Sequence, residues 1–326
     1  MRRSLTVAVT AVAIAAGAGI AAAAVSTINA PATVGRQAVR VSPSGPSLGG
    51  CPMFPADNAW NQDVSQLPLH PRSAAMIAQI QADGGDDLHP DFGENPDYGI
   101  PYVVVPASQP LVPITYTAYG DESDPGPFPI PLDAPVEGGG ASGDRHVLVL
   151  RQGTCDLFEL FVGIRNGSGW NAASGARFDL TSNALRPDGW TSADAAGLPI
   201  LPGLVRYDEV AAGVIRHAIR VTFSETQRGY IAPATHFASD STDPDRPPMG
   251  LRLRLKASYD VAQLTGQARV IAVAMQQYGL MVADNGSNWF FQGSPSSGWN
   301  DHDLNQLKSI SGDLFEVVDT GPIVAP

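Results

Sequence analysis

The chain contains no Walker loop, no dinucleotide fingerprint, no CxxC pair, no HExxH helix and no GxSxG elbow. Nucleotide, thiol-redox, zincin and standard serine-hydrolase chemistry therefore have no motif to rest on. Positive charge is scarce as well: Lys and Arg number 20 against 32 Asp and Glu, for a formal net charge of −12. So few cations argue against nucleic acid and anionic membrane as partners, because counterion release needs a basic face. Beyond Val25 no apolar run approaches the ~20 residues of a membrane span, so no membrane insertion is expected of the mature chain. Cysteine is limited to Cys51 and Cys155.

What is present begins at the N-terminus. Met1-Arg2-Arg3 followed by an almost uncharged Ala/Val/Ile/Leu/Gly run from Leu5 to Val25 has the charged and apolar regions of a secretory signal peptide. Residues 1–30 are assigned to it, and a secreted, extracellular protein is expected. Residues 31–50, rich in Pro, Gly and Ser and without periodicity, read as a disordered spacer. Residues 51–326 read as a single extracellular domain. In an oxidising compartment Cys51 and Cys155 are expected to pair. Closing a loop of about 100 residues would stabilise the domain by ~4 to 5 kcal/mol in the chain-entropy model.

The 34 Gly and 28 Pro are scattered rather than repeated, which implies many short elements joined by tight turns. Apolar or period-two runs at 100–105, 111–118, 146–151, 157–163, 217–223, 251–256, 280–283, 288–292 and 314–318 read as strands. Helical patterns are fewer: 73–82, a short turn after the capping box Thr191-x-x-Asp194, 208–215, and 266–278 with Gly279 as its stop. Strands outnumbering helices imply a mainly β, α+β fold: a β-sandwich, jelly roll or closed β-barrel with a few covering helices. The stretches 120–140 and 224–248 read as long surface loops, where sites usually sit.

Candidate chemistry falls in three places. In the first, strand alternation puts His217 on the face of Ile219, Val221 and Phe223, opposite Ala218, Arg220 and Thr222. Tyr207, Asp208, Glu209 and the later His236 could join His217 in acid–base work, although a histidine entering a core is also an ordinary structural residue. In the second, Arg252, Arg254 and Lys256 alternate with three leucines, so a row of cations could line a groove and hold carboxylates or hydroxyls, or equally form a salt-bridged face. In the third, Asp284-Asn285-Gly286-Ser287-Asn288-Trp289 presents a carboxylate, an amide and an indole at a polar turn, which is also a plain hairpin signal. Asp144-Arg145-His146 and the His89/Asp91 pair are lesser candidates. Trp299 to Asp303 fits an Asn- or Asp-capped helix better than a metal site.

The segments CPMFPADNAWNQDVSQLPLHPRSA, ALRPDGWTSADAAGLPILPGLVRYDEVAAGVIRHAIR and ADNGSNWFFQGSP resemble a family of secreted bacterial, largely actinobacterial-type proteins. The likeness runs from Cys51 to about Val318. It implies export and one folded unit, and it carries no activity to any residue here.

From the residues themselves the expectation is a secreted enzyme that cleaves a polysaccharide or cell-wall glycan, as hydrolase or lyase. Asp284 would pair with Asp208 or Glu209, helped by His217 and His236. Arg252, Arg254, Lys256, Asn285, Trp289 and Tyr207 would bind substrate. No cofactor or metal is expected, and the protein is expected to be a monomer. The alternative is a non-catalytic glycan-binding or cell-envelope structural protein.

Overall fold

The structure, a computed structural model, describes residues 45–325. The signal segment and residues 31–44 of the expected spacer lie outside the described residues. The end of that spacer is folded: Ser47–Leu48 (β1) pairs with Cys51–Pro52 (β2) in a tight hairpin. Gly49 and Gly50, at φ 58° and 85°, make its turn. Two-residue hairpins favour this conformation, and glycine adopts it without steric cost. The domain therefore starts ahead of Cys51. The expected disulfide joins Cys51 to Cys155 across 104 residues of sequence.

The next strands are β3 (His89–Asp91), β4 (Tyr102–Val105), β5 (Ile114–Tyr116), β6 (Val147–Arg151), β7 (Asp156–Phe161), β8 (Ile164–Asn166), β9 (Gly169–Ala172) and β10 (Ser174–Asp179). They are followed by β11 (Ile219–Phe223), β12 (Arg252–Leu255), β13 (Leu280–Asn285), β14 (Phe290–Gln292) and β15 (Phe315–Val318). Every run read as a strand overlaps one. A six-stranded sheet has the order β15-β12-β13-β11-β14-β3, a four-stranded sheet β10-β7-β6-β4 and a three-stranded sheet β5-β9-β8. The pairs β11–β13, β14–β3, β4–β6 and β5–β9 are parallel.

The fold is mainly β within the α+β class. The expectation of a closed barrel is corrected, since among the described residues both larger sheets stay open and end in edge strands, β15 and β3 in one and β10 and β4 in the other. Proline accounts for part of this: Pro90 lies within β3, and Pro101 and Pro106 bracket β4. A residue without an N–H cannot extend the ladder outward.

Alternation in the four-stranded sheet builds two cores. Leu148, Leu150, Leu157, Ala176 and Phe178 face the main core, shared with the six-stranded sheet. Val147, Val149, Phe158 and Leu160 face a second one with Phe128, Ile130 and Trp170.

The helices are α1 (Ser73–Ala82), α2 (Tyr207–Ala211), α3 (Gly266–Gln277) and α4 (Asp301–Leu304). α3 buries Ala268, Ile271, Ala272, Ala274 and Met275. Gly279, at φ 74°, then turns the chain into β13. Between β11 and β13 the chain thus has room for the long crossover that a parallel pair requires. α4 is capped as the sequence implies, with the Asn300 side chain accepting the N–H groups of His302 and Asp303. The capping-box reading of Thr191-x-x-Asp194 is corrected in part: the expected short turn follows, closed by the Gly197 N–H on the Asp194 carbonyl, but the Asp194 N–H goes to the Ser192 hydroxyl and not to Thr191. Asp194 instead accepts the Ala196 N–H inside the protein.

Candidate functional site

The site forms at the carboxyl ends of the parallel strands β11 and β13. Alternation along β11 sends Ile219, Val221 and Phe223 into the core and leaves Arg220 and Thr222 on the other face. The register slips after Val221, so Thr222 pairs with Asp284 instead of Ala283. This bulge turns the Asp284 side chain toward Arg220.

Arg220 is almost wholly buried and donates to Asp194 through Nε and Nη2 at 3.2 and 2.9 Å. Its Nη1 donates to Gln292 of β14 at 2.6 Å. Asp284 lies farther off, 3.8 Å from Nη2, with its side chain 23 % exposed. The guanidinium is thus matched first by Asp194, and Asp284 receives only the remainder of its field. Burial and the Asp194 charge push the Asp284 carboxyl up to about 7, against the opposing pull of Arg220 and His146.

The facing wall comes from the 120–140 loop and the approach to β6. His146 is buried, and both its ring nitrogens meet acceptors: Nδ1 the Glu137 carboxylate at 2.7 Å and Nε2 the Ala193 carbonyl at 2.9 Å. Only the imidazolium donates at both ends. Burial works against that charge, but Glu137 outweighs it and raises the histidine's pKa. Burial would likewise raise Glu137, yet the His146 hydrogen bond and charge more than reverse this and hold its carboxyl below the ordinary value. Deeper, Glu159 of β7 accepts the N–H groups of Ile200 and Leu201. Burial pushes it up to about 7 despite those bonds.

Two adjoining hollows result. The first, about 260 Å³, is lined by Asp91, Glu137, Asp144, His146, Arg220, Thr222, Asp284, Ser287, Phe290 and Gln292 among others. The second, about 240 Å³, has Tyr119, Phe161, Ser192, Asp194, His236 and Ala238 in its walls, and it shares Asp144, Asp284 and Asn285 with the first. Among the described residues no group of three His, Cys, Asp or Glu side chains is arranged to hold a metal.

Of the residues expected from sequence, Asp284, Asn285 and His236 meet at these hollows, together with Asp91, Asp144 and His146 of the lesser candidates. Asn285 braces the floor, accepting from the Thr226 hydroxyl and donating to the Ala238 carbonyl. The others are elsewhere. Glu209 bridges Arg206 and His217 at 2.7 and 3.0 Å, and Asp208 and Tyr207 border a different hollow with Tyr102. Neither acid lines the Asp284 site, so the expected pairing with it is corrected.

The expected cation row is corrected too. Arg252 is buried and donates to the carbonyls of Ala59 and Tyr278. Arg254 binds Glu316 and the carbonyls of Val64 and Leu67, and Lys256 the carbonyl of Asp313. They tie the 59–67 segment and the turn before β15 onto the sheet face. Trp289, expected as a platform, is fully buried against Phe223 and Phe315, its indole N–H bonded to Gln81.

Sequence reasoning missed Arg220, Asp194, Glu137 and Glu159 as site residues. One signal was available: a lone arginine alternating with apolar residues inside a strand needs a buried carboxylate partner. Glu137 and Asp194, on irregular segments, carried no such mark. Compared with protein-family models, with curated proteins and with solved structures, the chain matches none.

Proposed function

We propose that the protein is an exported hydrolase of glycosidic bonds in which Asp284 is the general acid and Glu137 the general base. The observation that carries this reading is a pair of carboxyls on one open polar hollow, each about a quarter exposed, whose surroundings shift their pKa values in opposite directions. Opposed carboxyls of this kind are what acid–base cleavage at neutral pH requires. Asp284 keeps its proton up to about pH 7 and delivers it to the bridging oxygen. Glu137, ionised beside His146, takes a proton from the attacking water. Asp91 and Asp144 line the same hollow and offer acceptors to substrate hydroxyls.

Hydrolysis is favoured over a lyase reaction because the cations meant to neutralise a uronate are committed elsewhere, and Arg220 is already paired with Asp194. Export rests on the signal-like N-terminus and on the disulfide, which suits an oxidising compartment. No helix among the described residues is long and apolar enough to cross a membrane.

The test is release of reducing ends from a panel of plant, fungal and bacterial glycans, with absorbance of unsaturated products followed in parallel. Release by the wild type, lost in Asp284→Asn and in Glu137→Gln at unchanged circular dichroism, supports the assignment. Binding without turnover identifies a glycan-binding module, and unsaturated products identify a lyase.

A further inference from the structure

Apart from the shared Asp144, Asp284 and Asn285, the walls of the second hollow differ in kind from those of the first. Tyr119 stands at its rim with 48 % of its surface exposed. The tyrosine is held by its backbone, the N–H bonded to the Ala173 carbonyl and the carbonyl to the Ser123 hydroxyl. The ring itself is free to meet a flat apolar face. The hydroxyls of Ser174, Thr191 and Ser192 are all committed to backbone carbonyls. His236 is not: Nδ1 bonds the Ala195 carbonyl at 2.8 Å, but Nε2 lies 4.0 Å from the Glu122 carboxylate, beyond hydrogen-bond reach. An exposed aromatic ring and one uncommitted imidazole nitrogen thus line a hollow that opens onto Asp284.

The division of labour between the hollows fixes a direction. Asp284 lines both, whereas Glu137 lines only the first. In hydrolysis the base serves the water that attacks the anomeric carbon, and the acid serves the oxygen that leaves. The sugar that is attacked must then occupy the first hollow, beside Glu137, with the departing group on the other side of Asp284. Each hollow is smaller than the roughly 300–1,000 Å³ typical of ligand pockets, and together they fall within that range.

Resting on the hydrolase reading, we propose that the second hollow is the leaving-group subsite for a second sugar unit, with Tyr119 as its stacking platform and His236 as its hydroxyl contact. The step balances as one water consumed. The water oxygen bonds to the anomeric carbon and its proton passes to Glu137. The bond from that carbon to the bridging oxygen breaks, and the oxygen leaves with the proton of Asp284. The shortest glycan substrate is therefore a disaccharide.

The experiment compares wild type, Tyr119→Ala and His236→Ala on oligosaccharides of defined length from cellulose, chitin, xylan, mannan and arabinan, and on the glycosyl fluoride of whichever sugar is released. Fluoride is a one-atom leaving group and does not enter the second hollow. Both variants are expected to lose roughly tenfold in kcat/KM on the oligosaccharide, and much less on the fluoride. Equal losses on the two substrates, or none on the oligosaccharide, overturn the subsite and leave the Asp284 hydrolase standing. If the wild type cleaves none of the oligosaccharides, the hydrolase reading fails and the subsite with it.

Discussion

Asp284→Asn should stabilise the protein at pH 8 and leave its stability at pH 4 nearly unchanged. A carboxyl whose pKa is raised on folding favours the folded state most where it is protonated. Its contribution is complete below the unfolded value of 3.8 and is lost as pH rises through the folded value near 7. The interval of about three units, at 1.36 kcal/mol each, makes the loss on the order of 4 kcal/mol. Asparagine keeps the shape and carries no charge at any pH, so the variant escapes that loss. Arg220 stays matched, because Asp194 is its near partner at 2.9 Å against 3.8 Å for Asp284. For a domain of this size the expected gain in Tm at pH 8 is about 8–16 °C, at ~2–4 °C per kcal/mol. Thermal and urea unfolding of both proteins from pH 4 to 8 reads the difference directly, and groups common to both cancel. A difference that stays constant across this range, or a variant less stable at pH 8, refutes the reasoning.

Four other outcomes are expected. Arg220→Met leaves Asp194 buried without its cation and should cost about 3–5 kcal/mol at pH 7 by urea unfolding, and less at pH 4, where Asp194 can take up a proton; an equal cost at both pH values would contradict the ion-pair account. Replacing Cys51 and Cys155 by alanine opens a closure of 104 residues, with an expected loss of ~4 to 5 kcal/mol, and a loss below about 1 kcal/mol would show that folding does not depend on it. His146→Gln keeps a donor toward Glu137 but removes the charge that holds that carboxyl low, so the acid limb of the pH–rate profile should move upward; an unmoved limb separates His146 from the base. Gly250→Ala places a methyl group against the Ile231 carbonyl at a residue with φ 77°, and more than about 1 kcal/mol of destabilisation should appear in the denaturation midpoint.

Much of the scaffold was legible in the sequence because it follows from period and punctuation. The α1 and α3 patterns, Asn300 as a cap and the alternating leucines of β12 each express a local rule that the tertiary structure obeys. The strands β8 to β10 escaped because Gly169–Ala172 and Ser174–Asp179 mix glycine, alanine and polar residues without clear alternation and owe their conformation to neighbouring strands. The site was only half legible. Asp284 stood out at its turn, but its partners arrive from irregular segments, Glu137 from a glycine-rich loop and Asp194 from a turn, where no period marks them. Arg252 and Arg254 misled for a related reason: alternation tells which face a side chain takes, not whether that face is later covered by another segment. Here the 59–67 stretch covers it.

The proposed hydrolysis depends most on Asp284 being an acid that still holds its proton near neutrality across the cleft from an ionised Glu137. Carbon-detected NMR titration of the side-chain carboxyls, assigned with Asp284→Asn and Glu137→Gln, measures this directly. Asp284 is expected to titrate near pH 7 and Glu137 below the ordinary glutamate value of 4.5. Asp284 titrating near 3.8, or both carboxyls titrating together, would contradict it.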